Sequence, residues 1–319
     1  MKKVLERMLA VLLIMPLVAC GSGSKTTEAA VSSKEESVVE TAEEQIPEEK
    51  EETVAEEEIK QEEAPVQEVS FESFTPIDNE ECSVTIKELD PDNIWGYTIK
   101  TVLENKSSEK TYMFSVTAAS VNGVDADPFF AAEVAPGKKS NEEITLTATS
   151  LKENGITEFT DIEIVYRVYD SNDWMADSVA EETFHIYPYG EDKATIFTRE
   201  IQSSDQVLVD NENVTVLITD KVDDPIWGYT LNMFIVNKTD TEIMISVDEA
   251  SVNGFMADPF FAKSVQPGKS AFTSMSWSDT TLEENEITEI ENIEFTLRVY
   301  DSNDIFSGDF FNGTVTVTP

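Results

Sequence analysis

Two oxygen-rich loops are the first chemistry the chain offers. Asp170-Ser171-Asn172-Asp173 and Asp301-Ser302-Asn303-Asp304 gather hard oxygen donors on short segments, as Ca²⁺ prefers. Asp170, Asn172, Asp173, Asp301, Asn303 and Asp304 are therefore the candidate ligands, and Asp125 and Asp127 are further donors in the first half. Met256 stands where a counterpart of Asp125 would fall, so six ligands are not available twice. The competing role is a turn, because Asp, Ser and Asn all hydrogen-bond local backbone. The turn is the favoured reading, and calcium is the one cofactor the residues suggest.

Aromatic residues are the second candidate. Trp95 and Trp227 each precede Gly-Tyr at the start of an expected strand. Exposed, they would be stacking platforms for a sugar ligand. Such residues more often belong to a sandwich core, and core is the expectation for both. Phe129-Phe130 and Phe260-Phe261 are expected to plug the ends of the sheets. Trp174 corresponds to Ile305, which indicates an apolar requirement without an aromatic one.

Catalytic constellations are scarce. The single histidine, His185, is replaced by Thr316 in the second half, and a Ser-His-Asp or Cys-His system needs a histidine held between two partners. Zinc needs several His or Cys ligands and is excluded on residue supply. Acidic residues are so abundant that no carboxylate pair stands out as glycosidase-like. No glycine-rich phosphate loop occurs. No catalytic residue is assigned, and the chain is expected not to be an enzyme.

The charge balance narrows the partners. Against 22 Lys+Arg stand 64 Asp+Glu, a net of −42 over 319 residues. Such a surface cannot neutralise phosphates, so nucleic acid is excluded as a partner. Of the two cysteines, Cys20 and Cys82, the first has a separate use, so no intramolecular disulfide is expected. Aromatic residues make up 9% of the chain and all lie beyond residue 70, which locates the core-forming material.

Residues 1–20 read MKKVLERMLAVLLIMPLVAC. A basic start and an apolar run from Met8 to Val18, too short to span a bilayer, mark a signal peptide over 1–19. Leu17-Val18-Ala19-Cys20 followed by Gly-Ser-Gly-Ser resembles the lipobox of bacterial lipoproteins. The resemblance implies cleavage after Ala19 and lipidation of Cys20. Acyl chains there would hold the protein on the extracytoplasmic face of the cell membrane, at about 0.8 kcal/mol per buried CH₂. Residues 20–70 then form an acidic stalk. Glutamates crowd it, Pro47 and Pro65 oppose a continuous helix, and like charges prevent collapse, so it is expected to be disordered. About 50 residues reach up to roughly 170 Å when extended, enough to space folded modules from the membrane.

Beyond residue 70 the chain repeats itself. Ile94-Trp95-Gly96-Tyr97-Thr98 recurs at 226–230, Ala119-Ser120-Val121-Asn122-Gly123 at 250–254, and Asp127-Pro128-Phe129-Phe130-Ala131 at 258–262. Pro136-Gly137-Lys138 recurs at 267–269, and the RVYDSND heptapeptide Arg167–Asp173 at 298–304. The offset is 132 residues before a single deletion near Glu109 and 131 after it. A period this long means tandem domains. They are placed at 71–190 and 191–319.

Each copy reads as short β-strands rich in branched and aromatic residues: 82–86, 97–103, 112–117, 144–149, 162–169 and 183–187 in the first, with matching runs in the second. Ala194–Thr198 is a further short strand candidate. Helical turns are expected at Asp127-Pro128 and Asp258-Pro259, and at Ser150-Leu151-Lys152-Glu153 from its capping-box spacing. No helix is long enough for a βαβ crossover, so the fold class is all-β: two tandem Ig-like antiparallel β-sandwiches.

The copies resemble Ig-like modules of unknown function found in tandem in surface lipoproteins of Gram-positive bacteria, on the WGYT, VNG, DPFF, PGK and RVYDSND motifs. The resemblance implies an architecture and a location, and brings no activity with it. The expected function is display of two modules for binding or adhesion to an extracellular protein, glycan or envelope ligand. A protease or hydrolase inhibitor and a calcium-dependent binding module are the alternatives. A transporter's solute-binding protein fits less well, for lack of βαβ alternation.

Overall fold

The computed structural model describes residues 69–126, 128–146 and 148–319. The signal peptide, the Cys20 anchor, nearly all of the stalk and Asp127 lie outside the described residues. Copy 1 contains β1 Phe74–Asp78, β2 Cys82–Asp90, β3 Tyr97–Asn105, β4 Tyr112–Val121, β5 Val124–Asp125, β6 Ala131–Val134, β7 Lys139–Leu146, α1 Ala148–Glu153, β8 Ile162–Asp170 and β9 Ala180–Ile186. Copy 2 contains β10 Gln206–Asp210, β11 Val214–Asp224, β12 Gly228–Asn237, β13 Ile243–Val252, β14 Phe255–Met256, β15 Lys263–Val265, β16 Ser270–Trp277, α2 Asp279–Glu284, β17 Ile293–Asp301 and β18 Asp309–Val317.

Each copy is a two-sheet antiparallel sandwich. In copy 1 the order β1-β2-β3-β7 faces a sheet in which β4 pairs with β5, β6 and β8, and β9 follows β8. Copy 2 repeats this as β10-β11-β12-β16 against β14-β13-β17-β18 with β15 on β13. Alternation builds both layers. Along β8, Ile162, Ile164, Tyr166 and Val168 point inward, while Glu163, Val165, Arg167 and Tyr169 are more accessible. Fully burying a side chain of this size contributes about 2 kcal/mol. Two separate cores result, one around Phe114, Ile144 and Tyr166, the other around Trp277, Phe295 and Ile245.

Each sandwich has two ends. Its base carries the Pro-Gly-Lys turn and the loop after the RVYD strand, because Lys139 opposes Glu104 and Asp170 opposes Tyr112. Its tip carries the Trp-Gly-Tyr loop, the Asn-Gly turn and the short helix, because Tyr97 opposes Leu146 and Val121 opposes Ile162. The tip of copy 1 meets the base of copy 2, and a one-residue parallel bridge from Val124 to Ser270 joins their sheets.

Several local expectations need correction. Asp258-Pro259 does not begin a helix; the segment stays extended and Phe260 bridges Ser276. Residues 128–130 are likewise non-helical. The capping box is misplaced as well, since Ser150 lies inside α1. In α2 the cap is Ser278, whose hydroxyl accepts the Thr281 N–H at 3.2 Å. Strand β7 stops at Leu146, short of the expected Thr149. Ala194–Thr198 is not a strand. It docks instead through single contacts, Phe197 donating its N–H to the Asn122 carbonyl at 2.7 Å. Among the described residues, no helix is long and apolar enough to cross a membrane.

Candidate functional site

Most repeated motif residues have internal partners in both copies. Asn122, in the left-handed region at φ 50°, accepts from the Thr160 and Asp161 N–H groups and donates to the Glu158 carbonyl. Asn253 does the same with Glu291, Asn292 and Glu289. Arg167 lies over the Tyr169 ring and holds the following loop through Ser178 and the Trp174 carbonyl. Arg298 lies over Tyr300 and bonds Asp309. Asn105 and Asn237, both buried, tie the turn after their strand to β6 and β15 through the Val134 and Val265 carbonyls.

The oxygen-rich loops are organised as turns. The Asp170 carboxylate accepts the Asn172 N–H at 3.0 Å and pairs with Lys110 at 3.5 Å. The Asn172 bond, then Lys110, hold it below the usual carboxylate range. Asp301 accepts from Asn303 at 2.8 Å, and Asp304 from Phe306 at 3.2 Å. Asp173 donates its N–H to the Asp170 carbonyl. Asp125 does not join this loop. It pairs with Ser120 where Asp170 pairs with Tyr112, so about eight residues of β4, roughly 26 Å, separate them. Among the described residues, no three His, Cys, Asp or Glu side chains gather as a metal site.

His185 lies between two carboxylates. Its Nδ1 meets Asp161 at 2.7 Å and its Nε2 meets Glu163 at 3.2 Å, with the ring stacked on Tyr187. Glu163 also pairs with Lys269 of copy 2 at 2.8 Å. Cys82 is fully buried, and burial pushes its thiol up to about 11, which makes it unreactive.

The tryptophans overturn the core expectation. Trp95 is 78% exposed and Trp227 55%. The glycine that follows each one explains why. Gly96, at φ +129°, lies so close to β7 that a Cβ would stand 2.4 Å from the Leu146 carbonyl oxygen. Gly228, at φ +77°, leaves 2.3 Å to the Trp277 carbonyl oxygen. This close approach turns the next residue, Tyr97 or Tyr229, inward and leaves the tryptophan on the outer side of the loop. The loop is set by short bonds, the Trp95 N–H donating to Asn93 and the Trp227 N–H to Asp224. The tryptophan that does fill a core is Trp277, fully buried, its Nε1 donating to the Ala257 carbonyl at 2.9 Å. Its position on the same face of β16 as buried Met275 was the available signal.

The Phe-Phe pairs divide. Phe130 is buried and Phe261 packs on its core, whereas Phe129 and Phe260 are exposed at 103% and 76%. Trp227 and Phe260 stack at 5.8 Å and 14°. Ile94 and Ile226, Trp174 and Ile305, and Met175 and Phe306 are exposed counterparts too. Five matched pairs of large apolar side chains thus face water in both copies. Ile94/Ile226 and Trp95/Trp227 lie at the tips, where Trp227 meets Phe260 in copy 2, and Trp174/Ile305 and Met175/Phe306 lie on the loop at the base. Beside the tip group of copy 2 lies an open cleft of about 550 Å³, walled by Tyr229, Leu282, Ile287 and Ile290 and rimmed by Asp223, Asp279, Glu283 and Glu289.

The fold and these surfaces define a tandem β-sandwich protein with apolar loops. No protein-family model matches the chain, and no curated protein does. Solved structures show distant similarity. A red sea bream transglutaminase is 10% identical over 76% of this chain and 31% of its own, at a TM-score of 0.24. The YadV chaperone is 9% identical over 69% and 92%, at 0.21. The Amycolatopsis orientalis exo-chitosanase CsxA is 13% identical over 76% and 27%, at 0.23. The chain spans about a third of the transglutaminase, and scores this low carry no functional argument.

Proposed function

We propose that the protein is a non-enzymatic surface lipoprotein. Lipidated Cys20 anchors it to the extracytoplasmic face of the membrane, the acidic segment spaces it outward, and two β-sandwiches bind an extracellular protein or glycan. One observation carries the binding part. Ile94/Ile226, Trp95/Trp227 and Phe129/Phe260 recur in both copies and stay exposed, whereas the repeated Asn122, Asn253 and Arg167 are held by internal contacts. Exposed aromatic clusters on a soluble module mark interaction sites. The net charge of −42 adds a restriction, since a strongly acidic surface favours neutral or basic ligands over anionic polymers. Two modules on one chain raise avidity for a repetitive surface.

The test is an array of envelope glycans and extracellular proteins, probed with the intact chain and with a Trp95→Ala/Trp227→Ala variant. Retained signals should fall at least tenfold in the variant while its melting temperature stays unchanged. Equal binding by both chains would remove the loops from the function.

A further inference from the structure

The junction between the two copies is a template for a second contact. At the tip of copy 1, the Gly123 carbonyl accepts the Ser270 N–H at 3.0 Å and Val124 bridges Ser270. Glu163 pairs with Lys269 at 2.8 Å, and Asp125 with Lys263 at 2.6 Å, with all four side chains largely shielded from water. Because the copies are repeats, each half of this junction exists a second time. Gly254, Phe255, Met256 and Glu294 stand at the tip of copy 2 where copy 1 has Gly123, Val124, Asp125 and Glu163. Lys138, Lys139 and Ala132 stand at the base of copy 1 where copy 2 has Lys269, Ser270 and Lys263.

The two remaining surfaces match each other. Val124 is fully buried at the junction, whereas Phe255 and Met256 are 53% and 65% exposed. The Glu–Lys pair is retained as Glu294 and Lys138, both exposed. Where Asp125 and Lys263 attract by charge, the corresponding residues are Met256 and Ala132, both apolar. One position has changed on each side, and the change is complementary. The aliphatic stem of Lys139 is suited to cover the Phe255 ring.

We infer that the tip of copy 2 docks onto the base of copy 1 of a second copy of this chain, repeating the intramolecular junction. The contact is head-to-tail, so each chain leaves a further surface of each kind free and successive chains can add to a multimer. Phe197, on the segment that joins the two copies covalently, reinforces the internal junction by packing against Phe234 and Phe272. A contact between separate chains has no such covalent tether, so it is weak in dilute solution and forms where chains are concentrated by the proposed lipid anchor.

Cysteine cross-linking of the full chain in its membrane tests this. A chain carrying both Lys138→Cys and Glu294→Cys, treated with a short bis-maleimide, should give a ladder of dimers and higher multimers. Either single variant should give at most a tenth of that yield. Met256→Asp, added to the double-cysteine chain, should abolish the ladder, and Ala132→Lys added on top should restore it by rebuilding the charge pair of the internal junction. No ladder, or a ladder insensitive to Met256→Asp, overturns the proposal. Lys138, Met256 and Glu294 are exposed and Ala132 is half-buried against the core of copy 1, and unchanged melting of each variant shows that folding is intact. Ligand binding through the tryptophan loops is a separate readout that these variants leave untouched.

Discussion

At the tip of copy 1, Leu151, Phe159 and Tyr97 are buried, and the Tyr97 ring stacks on Phe159 at 5.0 Å. At the tip of copy 2 their counterparts Leu282, Ile290 and Tyr229 are half-buried and wall an open cleft. The strand orders match, and β2/β3 and β11/β12 share one register shift, although β4/β8 and β13/β17 are bulged at different positions. Part of the difference lies within the repeat, since Ile290 replaces the Phe159 ring that stacks on Tyr97, and the two tips diverge more than the sandwiches that carry them. The exposed tryptophans behave differently from these residues. They stay outside in both copies, as expected of groups whose partner is not part of the fold.

Core substitutions should separate the copies most strongly. Trp277→Ala removes the largest fully buried side chain of copy 2 and should cost about 4 kcal/mol, and Leu146→Ala, its counterpart, about 3 kcal/mol. Hydrogen exchange resolved by strand should show each variant loosening its own copy first. Uniform loosening of both copies would merge the two cores into one cooperative unit.

Glycine replacement is next in size. Gly96→Ala and Gly228→Ala both place a Cβ against a carbonyl oxygen at positive φ, and each should lower stability by about 3 kcal/mol. Gly137→Ala and Gly268→Ala, where the added Cβ meets nothing within 4 Å, should cost less although φ is positive there too. Denaturant midpoints of the four variants would rank them.

The connecting segment responds to acid. Arg199 donates two 2.7 Å bonds to the shielded Asp205 carboxylate, and these bonds, followed by the Gln202 N–H, hold it below the ordinary carboxylate range. A folded-state value below the unfolded one means stabilisation that is present above about pH 4 and lost as pH falls through the folded value. Proteolysis within residues 194–205 should therefore rise on acidification of the wild type. Asp205→Asn should show the same susceptibility already at neutral pH, at a cost of about 2 kcal/mol. The smallest effect concerns the Asp-Ser-Asn-Asp loops. Their carboxylates already serve turns, so 1 mM Ca²⁺ should raise the melting temperature by less than about 1 °C beyond an equal concentration of Mg²⁺.

Much of this architecture can be read from residue order, and the reasons are local. Strand alternation and the internal repeat locate the sandwiches, because period-two burial is written along β3 and β8 themselves. The facing of Trp95 and Trp227 is not written that way, because both precede their strand and alternation does not reach them. The decisive residue is the adjacent glycine, whose contact with Leu146 or Trp277 joins positions some 50 residues apart. The Phe-Phe pairs escape for a similar reason, since an extended segment sends neighbours to opposite sides. The junction is least legible of all. Lys269, Glu163 and Asp125 come together only when two domains meet, and nothing in a charged residue marks it as an interdomain contact.

The most direct test of the account is binding stoichiometry, measured calorimetrically on the intact chain with a ligand selected from the array. Two equivalent exposed loops predict two ligands per chain, falling to one in Trp95→Ala and in Trp227→Ala and to none in the double variant. A single site indifferent to both tryptophans would contradict it.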